Sequence, residues 1–447
     1  MGMEVGLADI KENSISRGLD IYYLSLILIV VTIPFSIQAN TLCITISVFC
    51  WLALLFNKQY RGHIFRSLRK NATAILFILY SLVTVLSVII HFGSYDDVWP
   101  MLKTIERRSV FLFVPLVLSG VTLLSRIRIK RLIMLFTQIM IIASLVCLAI
   151  GLYATIKNGT AVHINPLNGI VENNFMYHRL VSYLGLHAVF FAAQVCFVFC
   201  ILLIKFLNRK EKVQRKQLLL FYLQLLFLAG MIILLQSITI SITFLLLLII
   251  ILLYRMSSAN LSKRFVGIAL LALILIISGS IRSIYPKVTK GNELFNYELT
   301  EKPGPSWNAV NIRLAIWEVN LKAIKDNWLL GVGPSNMNAT LQDYYKKYDF
   351  KFGIINKLNP HNQFLHTILT LGIGGLLILV SLFGSVIIKS EKRKDLILGS
   401  LTFIFLLFSL TASTLAVNKG IVFFTFFLTL LTFLEGSTLA YLAKGKE

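Results

Sequence analysis

Long uninterrupted apolar segments dominate this chain and restrict it to few folds. Apolar residues make up 57% of its 447 residues, against about 45–50% in soluble domains, and they gather in long runs. A backbone surrounded by lipid must satisfy its own hydrogen bonds, so such runs predict transmembrane helices. A membrane β-barrel would instead show short alternating segments. We therefore expect an all-α polytopic membrane protein.

The apolar runs predict about twelve transmembrane helices. Their expected bounds are 20–38, 40–56, 72–92, 109–125, 131–153, 178–204, 217–235, 237–254, 265–281, 361–388, 396–413 and 421–441. The chain then divides into helices 1–9 at residues 1–281, a large loop at 282–360, and helices 10–12 at 361–447. These parts form one integral membrane domain.

The placement of basic residues predicts the orientation. The net charge is +23, but the basic clusters lie between apolar runs, as in the positive-inside pattern, so we do not expect nucleic-acid binding. With twelve spans both termini share one side. The short connections on the other side hold few cations: Lys103, Arg107, Arg108, Lys157, Arg179 and Lys419. We expect cytoplasmic termini and a loop 282–360 outside the cytoplasm.

The loop divides into segments of different character. Its Pro- and Gly-containing start, 282–306, is expected to be irregular. From Asn308 to Asn327 apolar residues recur at helical spacing, which predicts an amphipathic helix with Arg313 and Trp317 on one face. A second short helix is expected around Met337–Tyr348. The Gly-Val-Gly-Pro sequence between them, 331–334, lacks the Lys-Ser/Thr of a phosphate loop and is interpreted as a structural turn.

The sequence Asn359-Pro-His-Asn362 begins the tenth predicted span. Pro360 suits a first helical position and Asn359 can cap the helix, which would place His361 in the first turn. There the helix dipole disfavours the protonated imidazole and attracts anions, so the histidine could act as a base beside an anionic substrate. An interfacial histidine without a special role is an equal alternative. His366 is expected to pack inside.

Other polar residues lie at the ends of spans on the same side: Arg107, Arg108, His178, Arg179, Arg282 and Lys419. Each alone is explained as an interfacial side chain. If several converged with Arg313 they would form an anion site, and forked guanidinium contacts suit a diphosphate. Sequence alone does not show whether they converge.

Three segments of this region carry a resemblance. They are Arg313-Leu-Ala-Ile-Trp317, Asn327-Trp-Leu-Leu-Gly-Val-Gly-Pro334, and His361-Asn-Gln-Phe-Leu365 followed by Gly372-Ile-Gly-Gly375. Together they resemble the O-antigen ligase and polymerase superfamily of bacterial envelope glycosyltransferases. The close similarity covers about residues 305–380, and the layout of spans extends it weakly over the chain.

This resemblance implies a GT-C-like, inverting glycosyltransferase of the bacterial inner membrane that uses neither a metal nor a cofactor, with its large loop in the periplasm. The implied donor is a glycan on undecaprenyl diphosphate, in contact with membrane lipid. The acceptor would be lipid A–core for an O-antigen ligase, which we favour, or another lipid-linked glycan for a polymerase. By carry-over His361 and Arg313 are the catalytic candidates. The substrate-binding candidates are Arg179, Arg282, Asn362, Trp317 and His178.

Two positions depart from the family pattern. Trp328 stands where the family usually has Pro, a change expected to be structural. Many members also carry an arginine between the seventh and eighth spans, where this chain has Gln236-Ser-Ile-Thr-Ile-Ser241. We expect Arg179 or Arg282 to replace that cation. A transporter of lipid-linked glycans is the rival class, and spans nearly free of charge, without apparent half-repeats, disfavour it.

Overall fold

The computed structural model describes residues 2–92, 98–164, 171–208, 214–258, 295–304 and 307–442. Within these residues the chain is mainly helical, with one short antiparallel strand pair, β1 (Val162–Ile164) and β2 (Val171–Asn173). The first helices, in chain order, are α1 (Gly2–Thr32), α2 (Ile37–Leu55), α3 (Lys58–Arg69), α4 (Ala72–Ile90), α5 (Val98–Arg108), α6 (Val110–Leu118), α7 (Arg126–Asn158), α8 (Tyr177–Ser182), α9 (Ala188–Leu207), α10 (Arg215–Leu234) and α11 (Ile238–Ser258).

After residues 259–294, which lie outside the described part, come the helices of the loop and of the last membrane part. They are α12 (Ala309–Asn327), α13 (Met337–Lys347), α14 (Lys351–Asn356), α15 (Gln363–Arg393), α16 (Leu396–Thr411), α17 (Asn418–Phe433) and α18 (Thr438–Leu442). The span predicted at 265–281 falls in the part that is not described.

Six of the described helices are long and apolar enough to cross a membrane: α2, α4, α7, α9, α10 and α15. Shorter apolar helices cover Ile238–Tyr254, Leu396–Thr411 and Asn418–Phe433. These helices agree with the prediction of an all-α membrane protein. The predicted spans 20–38 and 40–56, and 217–235 and 237–254, require short turns near residues 39 and 236, and both turns are present. The first turn ends at Ser36, which caps α2. The second is at Gln236, whose φ is +47°.

Two predicted spans are wrong because each is interrupted. The span predicted at 178–204 divides into α8 and α9, and the chain turns between them at Gly185, whose φ is +62°. The span predicted at 421–441 ends at Phe433, and a second turn at Gly436, with φ +89°, precedes α18. Glycine adopts this left-handed conformation without a steric penalty, so these two glycines allow the chain to turn inside an apolar run.

The centre of the bundle is built on α9 and α17. Almost all of α9 is buried, and every residue of α17 from Gly420 to Phe433 is buried. The ring of Phe136, from α7, lies 4.3 Å from that of Phe427, whose ring lies 5.4 Å from that of Phe197. Such ring contacts add about 0.5–1.5 kcal/mol each beyond the area they bury. They fix α7, α9 and α17 against one another.

The loop has its own hydrophobic core. Asn308 caps α12, its Oδ1 accepting the N–H groups of Val310 and Asn311 at 3.0 and 2.9 Å. The buried face of α12 packs against α13 and the segment after it, through Ala315, Ile316, Val319, Ala323, Leu341, Tyr345 and Phe350. The predicted helices at Asn308–Asn327 and around Met337–Tyr348 are therefore confirmed.

The glycine turn after α12 is inserted into a break in α15. The N–H groups of Val332 and Gly333 donate to the carbonyls of Leu369 and Thr370 at 2.8 and 3.1 Å, and Ile373 N–H donates to Trp328 O at 2.9 Å. The break is at Gly372, with φ +67° and ψ −167°. The turn is thus structural, as predicted, and it joins the loop to a membrane helix through backbone hydrogen bonds.

Glycine is required at that contact because the two backbones touch. A Cβ at Gly372 would lie 2.1 Å from the carbonyl oxygen of Leu329, and one at Gly331 would lie 2.6 Å from the carbonyl carbon of Thr370. Contacts this short do not occur between non-bonded atoms, so a larger residue at either position would separate the two segments.

Candidate functional site

His361 lies just outside α15, not in its first turn. The prediction that Asn359 caps the helix is wrong, because Asn362 is the cap, its Oδ1 accepting the N–H groups of Phe364 and Leu365 at 2.9 and 3.1 Å. Asn359 instead accepts the N–H of His361 at 2.9 Å. His361 has a left-handed φ of +46°, which is uncommon outside glycine and redirects the side chain.

Trp317 holds the segment before His361 against α12. Its indole N–H donates to the carbonyl of Pro360 at 3.1 Å. Arg313 precedes Trp317 by one helical turn, so the same face of α12 brings the guanidinium next to His361. Burial, and secondly the charge of Arg313, lower the pKa of His361 to about 4. The imidazole is therefore neutral at pH 7 and has a lone pair available.

The Arg313 guanidinium is only partly satisfied. One Nη1–H donates to the carbonyl of Ala309 at 2.7 Å, while the buried Nε has no hydrogen-bond partner. Burial lowers the pKa of Arg313 and the neighbouring Tyr177 opposes this shift, but a guanidinium stays charged in proteins. A buried cation with an unused donor costs free energy unless an anion binds it.

A third segment, at the start of α8 and at the α8–α9 turn, completes the site. The ring of His178 lies 4.0 Å from the ring of Tyr177 and 4.3 Å from that of His187. The Nδ1 of His178 accepts the N–H of Ala188 at 3.4 Å. Accepting there leaves the proton of a neutral His178 on Nε2.

His187 was not predicted as a site residue. Burial, then His178, Lys419 and His361, lower its pKa to about 4, which places its ring within electrostatic reach of both His361 and Lys419. Lys419 Nζ in turn donates to the carbonyl of Gly185 in the same turn. The sequence prediction put residue 187 inside a continuous span, and Gly185 was the signal that this span is broken.

The remaining predicted residues lie in different places. The Arg179 guanidinium stacks on the ring of Tyr183, 5.4 Å from its centroid, on the same short helix as His178. The Asn362 amide is used by the fold, because its Nδ2 also donates to the carbonyl of Leu410 at 3.1 Å. Arg282 lies outside the described residues. His366 is buried in α15, as expected.

The turn that lacks the family's arginine lies near the same short helix. The side-chain amide of Gln236 contacts the sulfur of Met176, directly before α8, at 3.1 Å. On the next helix, Thr239 and Thr411 share a hydrogen bond of 2.7 Å. This turn and Arg179 therefore lie at the same end of the helix bundle as His178.

The site is cationic. Its side chains are those of Arg313, Lys419, Tyr177 and three histidines. The described residues also contain no cluster of histidine, cysteine or acidic side chains that could hold a metal ion. Such an arrangement can bind an anion through a guanidinium and accept a proton on a neutral imidazole.

The comparisons with known proteins agree with this chemistry. A family model described as O-antigen ligase matches residues 223–380, while no curated protein matches the chain. That family implies a glycosyltransferase-like membrane enzyme that acts on lipid-linked glycans. The matched residues include Arg313, Trp317 and His361 but end before Lys419 and begin after α8. The match over residues 223–380 therefore supports the O-antigen ligase superfamily.

Proposed function

We propose that the protein is an O-antigen ligase, which transfers a glycan from undecaprenyl diphosphate to lipid A–core at the periplasmic face of the bacterial inner membrane. The proposal includes a GT-C-like bundle of twelve spans, cytoplasmic termini and a periplasmic loop 282–360. The positive-inside distribution of lysine and arginine supports this orientation. The family match supports the class of reaction.

One observation carries the proposal. A buried guanidinium with an unused N–H, at Arg313, stands next to a neutral imidazole, at His361. Transfer from a lipid diphosphate needs these two functions, because negative charge develops on the leaving group while the acceptor hydroxyl loses a proton. Preorganised donors aimed at developing charge stabilise such a transition state strongly.

The reaction is then a direct displacement. The acceptor hydroxyl oxygen forms a bond to the anomeric carbon, and the bond from that carbon to the diphosphate oxygen breaks. The bonding electron pair leaves with undecaprenyl diphosphate, whose charge Arg313 neutralises, and the hydroxyl proton moves to His361. A single displacement inverts the anomeric carbon. The protein side chains supply both functions, so no metal is needed.

Binding of the donor should also raise the pKa of His361. The pKa of His361 is low partly because Arg313 is charged nearby. A bound diphosphate brings negative charge to the same place and offsets that of the guanidinium. The pKa of His361 then rises toward 6.5, which makes the imidazole a stronger base when the donor is present.

The other residues have supporting roles in this proposal. Trp317 positions His361 through Pro360. Arg179 or Arg282 provides the second cation, which the family has after its seventh span. His178 contributes to binding of the diphosphate or the glycan, and Asn362 fixes the start of α15.

Replacement of His361 by alanine tests the proposal. Purified His361→Ala should transfer glycan from undecaprenyl diphosphate to lipid A–core at least about a hundredfold more slowly, the usual effect of losing a general base. Lys357→Ala is the matched control, since Lys357 is exposed and has the same left-handed φ, +47°. Wild-type transfer by His361→Ala would contradict the assignment.

The choice of acceptor distinguishes an O-antigen ligase from a polymerase. With lipid A–core as the acceptor a ligase forms a covalent product, whereas a polymerase extends only a second lipid-linked glycan. A transporter forms neither product and instead moves the intact donor across vesicles. If a product forms with the lipid-linked acceptor and not with lipid A–core, the protein is a polymerase and not a ligase.

A further inference from the structure

A basic recess lies at the far end of α15 from the candidate site. It has a volume of about 250 Å³ and lies between α3, the last turn of α15 and the end of α17. Four basic side chains line it, Arg66, Lys70, Lys389 and Arg393, together with the single carboxylate of Glu435. With about 1.5 Å per residue, the 31 residues of α15 separate the two sites by about 45 Å.

The protein compensates the charge of these side chains only in part. Asp395 and Glu435 act on Arg393 as opposite charges. Within the described part of the chain, no ion pair joins a carboxylate to Arg66, Lys70 or Lys389. The charge of Arg393 acts on Lys389 as a like charge. Like charges held together on a folded scaffold repel one another, so an anion in the recess would relieve the repulsion.

The wall of the recess is held in place by hydrogen bonds. Arg393 donates from Nη1 to Leu431 O at 3.3 Å and from Nη2 to Thr432 O at 3.4 Å, both at the end of α17. Asn71, which caps α4, donates from Nδ2 to the hydroxyl of Thr432 at 3.2 Å. The end of α17 is therefore tied to α15 and α4, and the cations converge on a preformed cavity rather than on a loose surface.

The helix α3 has the character of an interfacial helix. It is rich in lysine and arginine, and Ile64 is its only buried residue. Its Phe65 is 41% exposed and borders a second recess, which shares Arg66 and Lys70 with the first. An apolar side chain beside a basic cavity suits a ligand with a charged head and a hydrocarbon tail.

We propose that this recess binds the phosphate of an anionic phospholipid headgroup, with the lipid chains along the Phe65 side. Positive-inside placement alone accounts for basic connections, but not for four basic side chains around one cavity, two from the end of α3 and two from the end of α15. Basic pockets between transmembrane helices on the cytoplasmic side are known to hold anionic headgroups. The proposal is independent of the proposed glycan transfer, because it concerns the opposite end of the bundle.

Lipid retention tests this inference. The full-length protein is purified in detergent, exchanged into phosphatidylglycerol or phosphatidylcholine, and the bound lipid is counted by native mass spectrometry. We expect wild type to retain phosphatidylglycerol selectively, and the double variant Arg66→Gln/Lys389→Gln to bind it about thirtyfold more weakly. The control variant Arg61→Gln/Lys216→Gln removes the same amount of charge from residues outside the recess. It should retain phosphatidylglycerol as the wild type does.

Each other outcome refutes the lipid site. Equal retention by the recess variant and the control variant would mean that scattered surface charge holds the lipid. Equal protection from thermal unfolding by inorganic phosphate and by phosphatidylglycerol would mean that a free anion is the ligand. If the double variant does not fold, Lys70→Gln is measured instead, and unchanged selectivity in that variant overturns the proposal.

Discussion

The hydrogen bond from Trp317 to Pro360 offers a sharp test of how the site is assembled. Trp317→Phe keeps an aromatic ring on α12 but removes the indole N–H that donates to the Pro360 carbonyl at 3.1 Å. This bond is the contact that ties the residue before His361 to the helix carrying Arg313. Without it, His361 should spend part of its time out of reach of the reacting hydroxyl.

The expected effect is moderate. A neutral hydrogen bond contributes about 1 kcal/mol net, and 1.4 kcal/mol corresponds to tenfold. If that free energy serves to orient His361 in the transition state, kcat falls about fivefold, while KM for the donor changes little because Arg313 is unaffected. The fold of the loop should persist, since the buried face of α12 is unchanged.

Trp307→Phe is the matched control. The indole N–H of Trp307 donates to the carbonyl of Lys302 at 3.2 Å in the same loop core, so both variants lose the same kind of bond. Only Trp317 contacts the segment before His361. Initial rates with purified protein, a lipid-linked glycan and lipid A–core should separate the two variants. Equal kcat values for Trp317→Phe and Trp307→Phe would refute the positioning role.

Three further predictions concern the guanidinium, the glycine break and the imidazole. Arg313→Lys should lower transfer at least about tenfold, measured with the same assay, because one ammonium group cannot reproduce a forked contact. Gly372→Ala should destabilise the protein by about 3 kcal/mol or more, because its Cβ would meet Leu329 O at 2.1 Å; Gly374→Ala, with open space around its Cβ, should unfold at the wild-type temperature. Arg313→Gln should raise the pKa of His361 from about 4 toward 6.5, since it removes the second cause of the shift, as histidine NMR in detergent would show. An unchanged His361 titration would mean that Arg313 does not face the ring.

Helices with regular apolar spacing could be predicted from the sequence. The helix of the loop, Asn308–Asn327, was predicted with Arg313 and Trp317 on one face, and α12 spans the same segment. Its periodicity reflects burial against neighbouring segments, so the pattern carries information about packing as well as about local conformation. The second loop helix, around residues 337–348, was predictable for the same reason.

The sequence could not show which of two possible capping residues begins α15. Both Asn359 and Asn362 can cap α15, and the position of Pro360 favoured the first. The structure uses Asn362, whose Nδ2 also reaches Leu410 O on α16, so a tertiary contact supports that choice. His187 was missed for a related reason, because a single Gly185 inside an apolar run does not show whether a long helix continues.

The loop holds α15 at two points, and this decides which half of the site is rigid. The turn after α12 makes three backbone hydrogen bonds to residues 369–373, and Trp317 holds Pro360 just before the helix begins. Any shift of Arg313 relative to His361 would break these bonds together. The α8–α9 turn instead lies near His361 through the side chain of His187, and Lys419 of α17 donates to the Gly185 carbonyl of this turn. A bulky donor that needs more room should therefore displace this turn, while the Arg313–His361 pair keeps its geometry because its backbone is fixed on both sides.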